Sequence, residues 1–468
     1  MQSGRVLSVA AFLLLCFTLS ACGPKQTTGG KPFVQSGVPC QDVVSLPQTL
    51  TPYASAAGEN RALVSPAVQR ASAMEQRDKL FRPWEMTEPT RWVKASLNKN
   101  FNMRPDYAYT DGKQPFPMDA WQRIEENSNK GAFPSGVARG ITLRHTNLRA
   151  MPTPMPFYRN PDKPGEGFPF DYFQHTSLPM GVPVLICNVS KDGQWRLVET
   201  ALTVGWLPAK DVAEVDEAFI SRWQSQPLAA LVRDKVFLAS STEHIGTLLP
   251  LAGSASPGRG QAISVLYPQS GSGGKASIGT ASLAPGAAVA VPLVLTPAEV
   301  ARVGNEMMGQ PYGWGGLAER RDCSALTRDL FAPFGIWLPR NSSRQAKVGM
   351  PIALAGFSSE EKEARIVSQA TPFLSLIWLP GHIGVYIGQY QGKPVMFHNM
   401  WGLRTRDGSG DCGGRAVVGK AVVTTLRAGA ERPDLCTPAG MLDRVQRVTV
   451  LPGASAGAFA EESTDRDE

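Results

Sequence analysis

The sequence predicts an α+β chain of several domains: a small, mainly helical N-terminal unit, two all-β units, and a C-terminal domain mixing helices with strands. Three observations carry this expectation. The 468 residues are too many for one ordinary core, and shares of 43% hydrophobic and 19% charged residues describe a globular chain. Residues 136–292 are cut by turn signals into short alternating runs, a strand rhythm. Thr296-Pro297-Ala298-Glu299 then joins an N-cap threonine, a proline at the first helical position and a glutamate three residues on, which opens a helix and with it a new domain.

The first residues speak to location. Arg5 precedes an apolar run over 6–19, broken only by Ser8 and Thr18, too short to span a bilayer comfortably and flanked like a signal peptide. It ends in Leu19-Ser20-Ala21-Cys22, which resembles the lipobox of bacterial lipoproteins. That resemblance implies cleavage before Cys22 and lipid on its sulfur. Gly23, where an aspartate would retain the protein, implies sorting to the periplasmic side of the outer membrane in a two-membrane cell. Residues 23–40, polar and rich in Gly and Pro, read as a flexible tether. No second segment looks transmembrane, so membrane contact is expected through the lipid anchor alone.

Residues 41–135 read as the helical unit, with helices around 68–80 and 118–127 and bulky anchors at Trp84, Trp92 and Trp121. The first all-β unit spans 136–215, where Lys191-Asp192-Gly193-Gln194 signals a hairpin and Trp195 to Thr200 alternates. Asn147-Leu148-Arg149 resembles the opening strand, and Gly205-Trp206-Leu207-Pro208 the closing segment, of bacterial SH3-like barrels. A second, weaker barrel of this type is expected over 220–292, and the mixed domain over 295–452. The acidic residues 453–468 read as a disordered tail.

Charge and cysteine usage narrow the function. A net charge of +7 with no Lys/Arg block argues against nucleic-acid binding and suits an acidic polymer or a membrane surface. Beyond Cys16 and Cys22 remain Cys40, Cys187, Cys323, Cys412 and Cys436, an odd number that leaves at least one thiol unpaired. Cys412 and Cys436 lie in two Gly/Pro-rich loops of one domain, and whether they pair stays open. No CxxC pair, metal-ligand spacing of the histidines or phosphate loop occurs, so neither metal nor cofactor is expected.

Three segments carry the chemistry. Tyr312-Gly313-Trp314-Gly315-Gly316 leads into Asp322-Cys323-Ser324-Ala325, and residues 323–331 read as a helix with Asp322 as N-cap. Cys323 then lies in the first helical turn, where unpaired amides and the macrodipole are expected to stabilise a thiolate. Pro380-Gly381-His382-Ile383-Gly384-Val385-Tyr386-Ile387-Gly388 reads as a strand with Ile383, Val385 and Ile387 on one face and His382 on the other. Val395-Met396-Phe397-His398-Asn399 reads as its neighbour, and places His398 where it orients the His382 imidazole. A lone cysteine or a lone strand histidine is far more often structural; the ordered set within one domain is what points to a nucleophile, a base and an orienting group.

Residues 295–450 resemble the NlpC-type papain-like cell-wall cysteine peptidases. The matching residues are Tyr312-x-Trp314-Gly-Gly, Asp322-Cys323-Ser324, Leu338-Pro339-Arg340-Asn341-Ser342 with Gln345 and Gly349, and His382 to Gly388. The layout of a helical unit and two SH3-like barrels ahead of that domain resembles the subgroup that cleaves γ-D-glutamyl to diamino acid bonds. The resemblance implies Cys323 as nucleophile, His382 as general base and His398 as third member, with Tyr312 and the Cys323 amide on the oxyanion. It also implies that Asp322 and Ser324 hold the substrate peptide. A first barrel that walls off the acceptor side, selecting a free N-terminal L-Ala, is a further implication; Asp171 and Tyr172 are the candidates there. Ala325 replaces the family's usual glycine, and Leu376 to Pro380 replaces its frequent Gly-Asp pair, which bears on the cleft wall and not on the triad.

The expected function is therefore that of a peptidoglycan hydrolase acting on stem peptides or muropeptides, as a monomer. The alternatives are a silent wall-binding scaffold, and amidase or acyl-transfer chemistry on the same fold.

Overall fold

The computed structural model describes residues 38–451 apart from Asn102, Pro164, 254–260 and 437–439. The signal segment with Cys22, nearly all of the tether and the acidic tail lie outside the described residues.

The N-terminal part is helical: α1 (Asp42–Ser45), α2 (Thr51–Ala56), α3 (Pro66–Glu85), α4 (Arg91–Phe101) and α5 (Met118–Asn127). The Ser65 hydroxyl caps α3 by accepting from the Val68 amide, and Pro66 stands at its first position. Gln76 on α3 donates to the Ala332 carbonyl at 3.0 Å, and the Trp84 indole to Gly140 at 2.7 Å. One helix thus braces both the C-terminal domain and the first β unit.

That β unit is one seven-stranded sheet in the order β3-β2-β6-β5-β4-β1-β7. Its strands are β1 (Ala138–Thr142), β2 (Thr146–Arg149), β3 (Gln174–Leu178), β4 (Pro183–Val189), β5 (Trp195–Thr200), β6 (Val204–Pro208) and β7 (Val212–Glu214). After α6 (Glu217–Gln224) come β8 (Leu228–Leu231), β9 (Val236–Leu238), β10 (Ser241–Glu243), β11 (Leu248–Pro250), β12 (Ile263–Ser270), β13 (Ala276–Leu283) and β14 (Ala288–Ala290). These lie in three small sheets: β10-β9, β11-β8-β14 and β12-β13.

The C-terminal domain opens with α7 (Pro297–Met307), where the Thr296 hydroxyl accepts from the Glu299 amide at 3.2 Å. Then follow α8 (Cys323–Phe331), α9 (Ser342–Gln345), β15 (Met350–Ala353), α10 (Ser359–Gln369), β16 (Ser375–Leu379), β17 (His382–Tyr390), β18 (Lys393–Thr405), β19 (Gly414–Thr425), α11 (Met441–Arg444) and β20 (Arg447–Val450). The strands form one sheet ordered β15-β20-β16-β17-β18-β19. Its core collects Leu326, Leu330 and Phe331 of α8 with Ile383, Val385 and Ile387 of β17. The period-2 pattern of β17 is the cause: that apolar face packs on α8, while Tyr386 turns to a second cluster with Met396 and Met400. A disulfide joins Cys412, in the loop between β18 and β19, to Cys436 after β19, and Cys40, Cys187 and Cys323 are buried free thiols. No helix among the described residues is long and apolar enough to cross a membrane.

Candidate active site

Cys323 is the first residue of α8 and only 7% exposed. Asp322 caps the helix, its Oδ1 accepting from the Ala325 amide at 2.8 Å, and its Oδ2 accepts from Gly315 at 3.1 Å. The loop reaches this geometry through Gly315 and Gly316, both at positive φ. A Cβ on Gly315 would sit 2.4 Å from the Gln174 carbonyl, and one on Gly316 2.2 Å from Ser177 Oγ. The two glycines therefore let the nucleophile loop press against β3 of the first β unit.

The expected thiolate does not form in this resting site. Burial first, and the Asp322 charge second, push the Cys323 thiol up to about 12. The backbone amides of Ile383 and Ser324 and the Arg340 charge pull the other way without winning. A buried sulfur loses more solvation than the helix terminus returns.

A chain of side-chain contacts runs from His382 through His398 to Thr424. Nε2 of His382 lies 2.7 Å from Nδ1 of His398, and Nε2 of His398 lies 3.0 Å from the Thr424 hydroxyl. Thr424 gives its single proton to the Thr425 carbonyl at 2.8 Å, so it accepts from His398 Nε2–H. His398 Nδ1 then accepts from His382 Nε2–H, and His382 Nδ1 keeps a free lone pair. Gly384 makes this edge-to-face approach possible: a Cβ there would lie 2.7 Å from the His398 Cβ. Burial, then the Arg444 charge, lowers His382 to about 4; burial, then His382, holds His398 well below the usual imidazole range. Burial thus disfavours the thiolate of Cys323, whose sulfur meets the backbone of Ile383, and the charged forms of both imidazoles.

Around this pair stand the other sequence candidates. Tyr312 is buried, and burial first, then its electrostatic interactions with Cys323 and Asp322, hold its phenol well above the ordinary range, so it stays a donor. Asp322 and Ser324 both face Arg340: Arg340 Nη1 lies 2.9 Å from Ser324 Oγ and 3.3 Å from Asp322 Oδ1, and Nη2 bridges to Oδ2. Asp171 is 1% exposed and turned inward, bridged to Arg149 at 2.6 Å and accepting from the amides of Phe157 and Phe173. Tyr172 is partly buried against Trp314, with the Arg159 guanidinium 4.4 Å over its ring.

Several neighbours went unread in the sequence. Phe170 sits among Tyr312, Trp314 and Trp401 at centroid distances of 6.2, 5.4 and 5.3 Å, carrying the first β unit into the site. Its place beside Asp171 and Tyr172 was the signal for it. Arg321, two residues before the nucleophile, is buried and bidentate to Asp234 at 2.7 and 2.8 Å, with Asp329 at 2.8 Å. Asp234 belongs to the loop after β8, 87 residues away, and no local pattern marks it. Thr424 was equally silent. Among the described residues no group of three or more His, Cys, Asp and Glu side chains is placed to hold a metal.

Comparison with known proteins matches three parts of the chain. Residues 309–409, which hold Cys323, His382 and His398, match the NlpC/P60 family. The C-terminal domain is an NlpC/P60 domain. Residues 156–208 match an SH3 domain of the SH3b1 type, and residues 11–133 the N-terminal stabilising domain found with NlpC/P60 domains. A solved NlpC/P60 endopeptidase from Photobacterium damselae subsp. piscicida is similar over 87% of this chain and 97% of its own, with 25% identity and a TM-score of 0.77. Two proteins of Corynebacterium glutamicum named as probable endopeptidases are 32% and 31% identical over 103 and 102 residues. Those matches cover 22% of this chain and 44% and 43% of the relatives, so the chain spans less than half the length of the curated relatives it matches.

Proposed function

We propose that the protein is a peptidoglycan hydrolase, a cysteine endopeptidase that cuts the γ-D-glutamyl to diamino acid bond of wall stem peptides bearing a free N-terminal L-Ala. The observation that carries the reading is the His382–His398–Thr424 relay, which leaves one base nitrogen free in the site of a buried, unpaired thiol. In this reading His382 Nδ1 takes the Cys323 proton as the sulfur attacks the amide carbonyl. Tyr312 and the Cys323 amide hold the oxyanion. His382 then passes its proton to the departing amine, leaving a thioester that water hydrolyses through the same base. The relay carries a second turnover without any proton leaving His398.

The choice of bond rests on the resemblance of the domain layout to the γ-D-glutamyl peptidases and on the aromatic wall that Phe170 and Tyr172 add from the SH3-like unit. Asp171, tied to Arg149, supports that wall; Tyr172 is the better placed of the two to meet a substrate amine. Asp322 and Ser324 act on the peptide from their Arg340-bound positions. We further propose lipid anchoring at Cys22 on the periplasmic face of an outer membrane, tested by labelled palmitate incorporation that C22A abolishes. For the activity, purified muropeptides are digested with wild type and C323A and separated by chromatography. Cleavage by wild type alone supports the reading; binding to wall material with no product from either would favour a scaffold.

A further inference from the structure

The β18–β19 hairpin places two arginines face to face. Arg404 and Arg415 are direct partners in the antiparallel register. The adjacent pair, Leu403 and Ala416, points into the core. The arginines therefore share the opposite, open side. Like charges directly opposite one another destabilise a sheet, so such a pair asks for a reason. A third arginine joins them: Arg444 of α11 donates to the Pro380 carbonyl at 2.6 Å, two residues before His382. The charges that act on Arg415 are those of Arg404 and Arg444, and the charge that acts on Arg444 is that of Arg404.

The nearby carboxylates are engaged elsewhere. Asp443 accepts from the Ser359 hydroxyl at 2.7 Å, and Asp407 accepts from Ser409 within its own turn. Glu166, next to Gly165, is not among the charges that act on Arg415. The cluster also has a definite place. Gly165 of the SH3-like unit, five residues before Phe170, lies against Arg415, its virtual Cβ 3.5 Å from Nε. At the other end Arg444 is close enough to lower His382. The three arginines thus run from the SH3-like wall to the turn that carries the base.

We propose that Arg404, Arg415 and Arg444 form a carboxylate-binding subsite at the rim of the cleft, which takes a free carboxylate of the stem peptide. This rests on the function proposed above, because a γ-linked glutamyl–diaminopimelyl peptide carries free carboxylates on both sides of the scissile bond, whereas an ordinary α-linked peptide carries none there. A guanidinium fork matches a carboxylate in shape as well as charge. Three carboxylates of the tripeptide offer that chemistry: the α-carboxylate of the D-glutamyl residue, the carboxylate of the second diaminopimelate centre, and the C-terminal carboxylate of the diamino acid, which all three test peptides keep.

The test uses the full chain carrying C323A, which binds without turning over, with R404Q, R415Q or R444Q added. Calorimetry measures affinity for L-Ala-γ-D-Glu-diaminopimelate, for its D-isoglutamine form, and for its Lys form. Thermal unfolding of each variant controls for folding. The expected result is a loss on the order of tenfold or more for the diaminopimelyl peptide with R415Q and R444Q. The same loss appears when one carboxylate is removed, and the two changes together add nothing. A loss matched by the isoglutamine peptide assigns the glutamyl carboxylate; one matched by the Lys peptide assigns that of the second diaminopimelate centre; an equal arginine effect on all three peptides assigns the C-terminal carboxylate. Unchanged affinity in all the arginine variants overturns the inference alone. Absence of binding by the parent to all three peptides overturns both it and the substrate reading. Arginine-dependent binding with no turnover by wild type sinks only the proposed reaction.

Discussion

At the scale of the residue, the chemistry turns on where one proton sits. Cys323 is pushed up to about 12 and His382 down to about 4, so in the proposed reaction the proton stays on sulfur until attack begins. The sign of the pH dependence follows. Below about 4 His382 is protonated and cannot accept, so kcat/KM falls as pH drops through that value and stays level from pH 5 to pH 9. An acid limb near pH 6.5 would contradict this arrangement. The relay makes a second claim. H398A removes the acceptor that sets the His382 tautomer and is expected to cost about a thousandfold in kcat. T424V, which keeps the shape and loses the acceptor, is expected to cost roughly tenfold, with KM little changed in steady-state assays. Equal kcat in T424V and wild type would break the chain of inference at Thr424. The meeting of His398 with His382 was legible because strand periodicity survives in a linear string. The protonation state was not, because it depends on burial, and the helix-terminus argument counts only the amides.

At the scale of the element, α8 and its loop are held by both β units. Arg321 reaches Asp234 and Asp329, and its carbonyl accepts from Asn399 at 2.8 Å. A Cβ on Gly246 would lie 2.8 Å from the Asp329 Cα, so the second β unit lies directly on α8. D234N leaves a guanidinium only 6% exposed without its bidentate carboxylate. It is expected to cost about 3 kcal/mol of stability and to lower kcat more than it raises KM, read by calorimetry and kinetics together. A variant with unchanged stability and full activity would show that the clamp is incidental. Gly315 and Gly316 do more than turn the loop before α8. Their need to touch Gln174 and Ser177 lies across 140 residues of chain, and no local pattern encodes it. The capping residues Thr296 and Asp322 are local, and the helices begin where those residues say.

At the scale of the whole molecule, buried histidines set the acid sensitivity. Burial lowers His145 to about 3 and His382 to about 4, and lowers His175 and His398 as well. The unfolded chain binds protons below about pH 6.5, and the folded one does not until near pH 4, so stability is full above 6.5 and is lost as pH falls. At pH 5 His145 and His382 alone should each subtract about 2 kcal/mol. His244 runs the other way: despite its burial, the Asp234 carboxylate raises it, which offsets part of the loss. Urea denaturation at pH 7.5 and pH 5 checks this, and a flat profile would contradict it. The α+β layout was legible from turn signals and the cap at Thr296, whereas the division of the second β unit into three small sheets was not. Strand pairing there is long-range, and the alternating pattern marks strands without naming partners.

The most direct measurement is mass spectrometry of L-Ala-γ-D-Glu-diaminopimelate, with and without an N-terminal block, after incubation with wild type or C323A. The expected result is free diaminopimelate from the unblocked peptide with wild type alone. Intact peptide under all conditions, cleavage at the L-Ala bond instead, or release by C323A would contradict the assignment of this site.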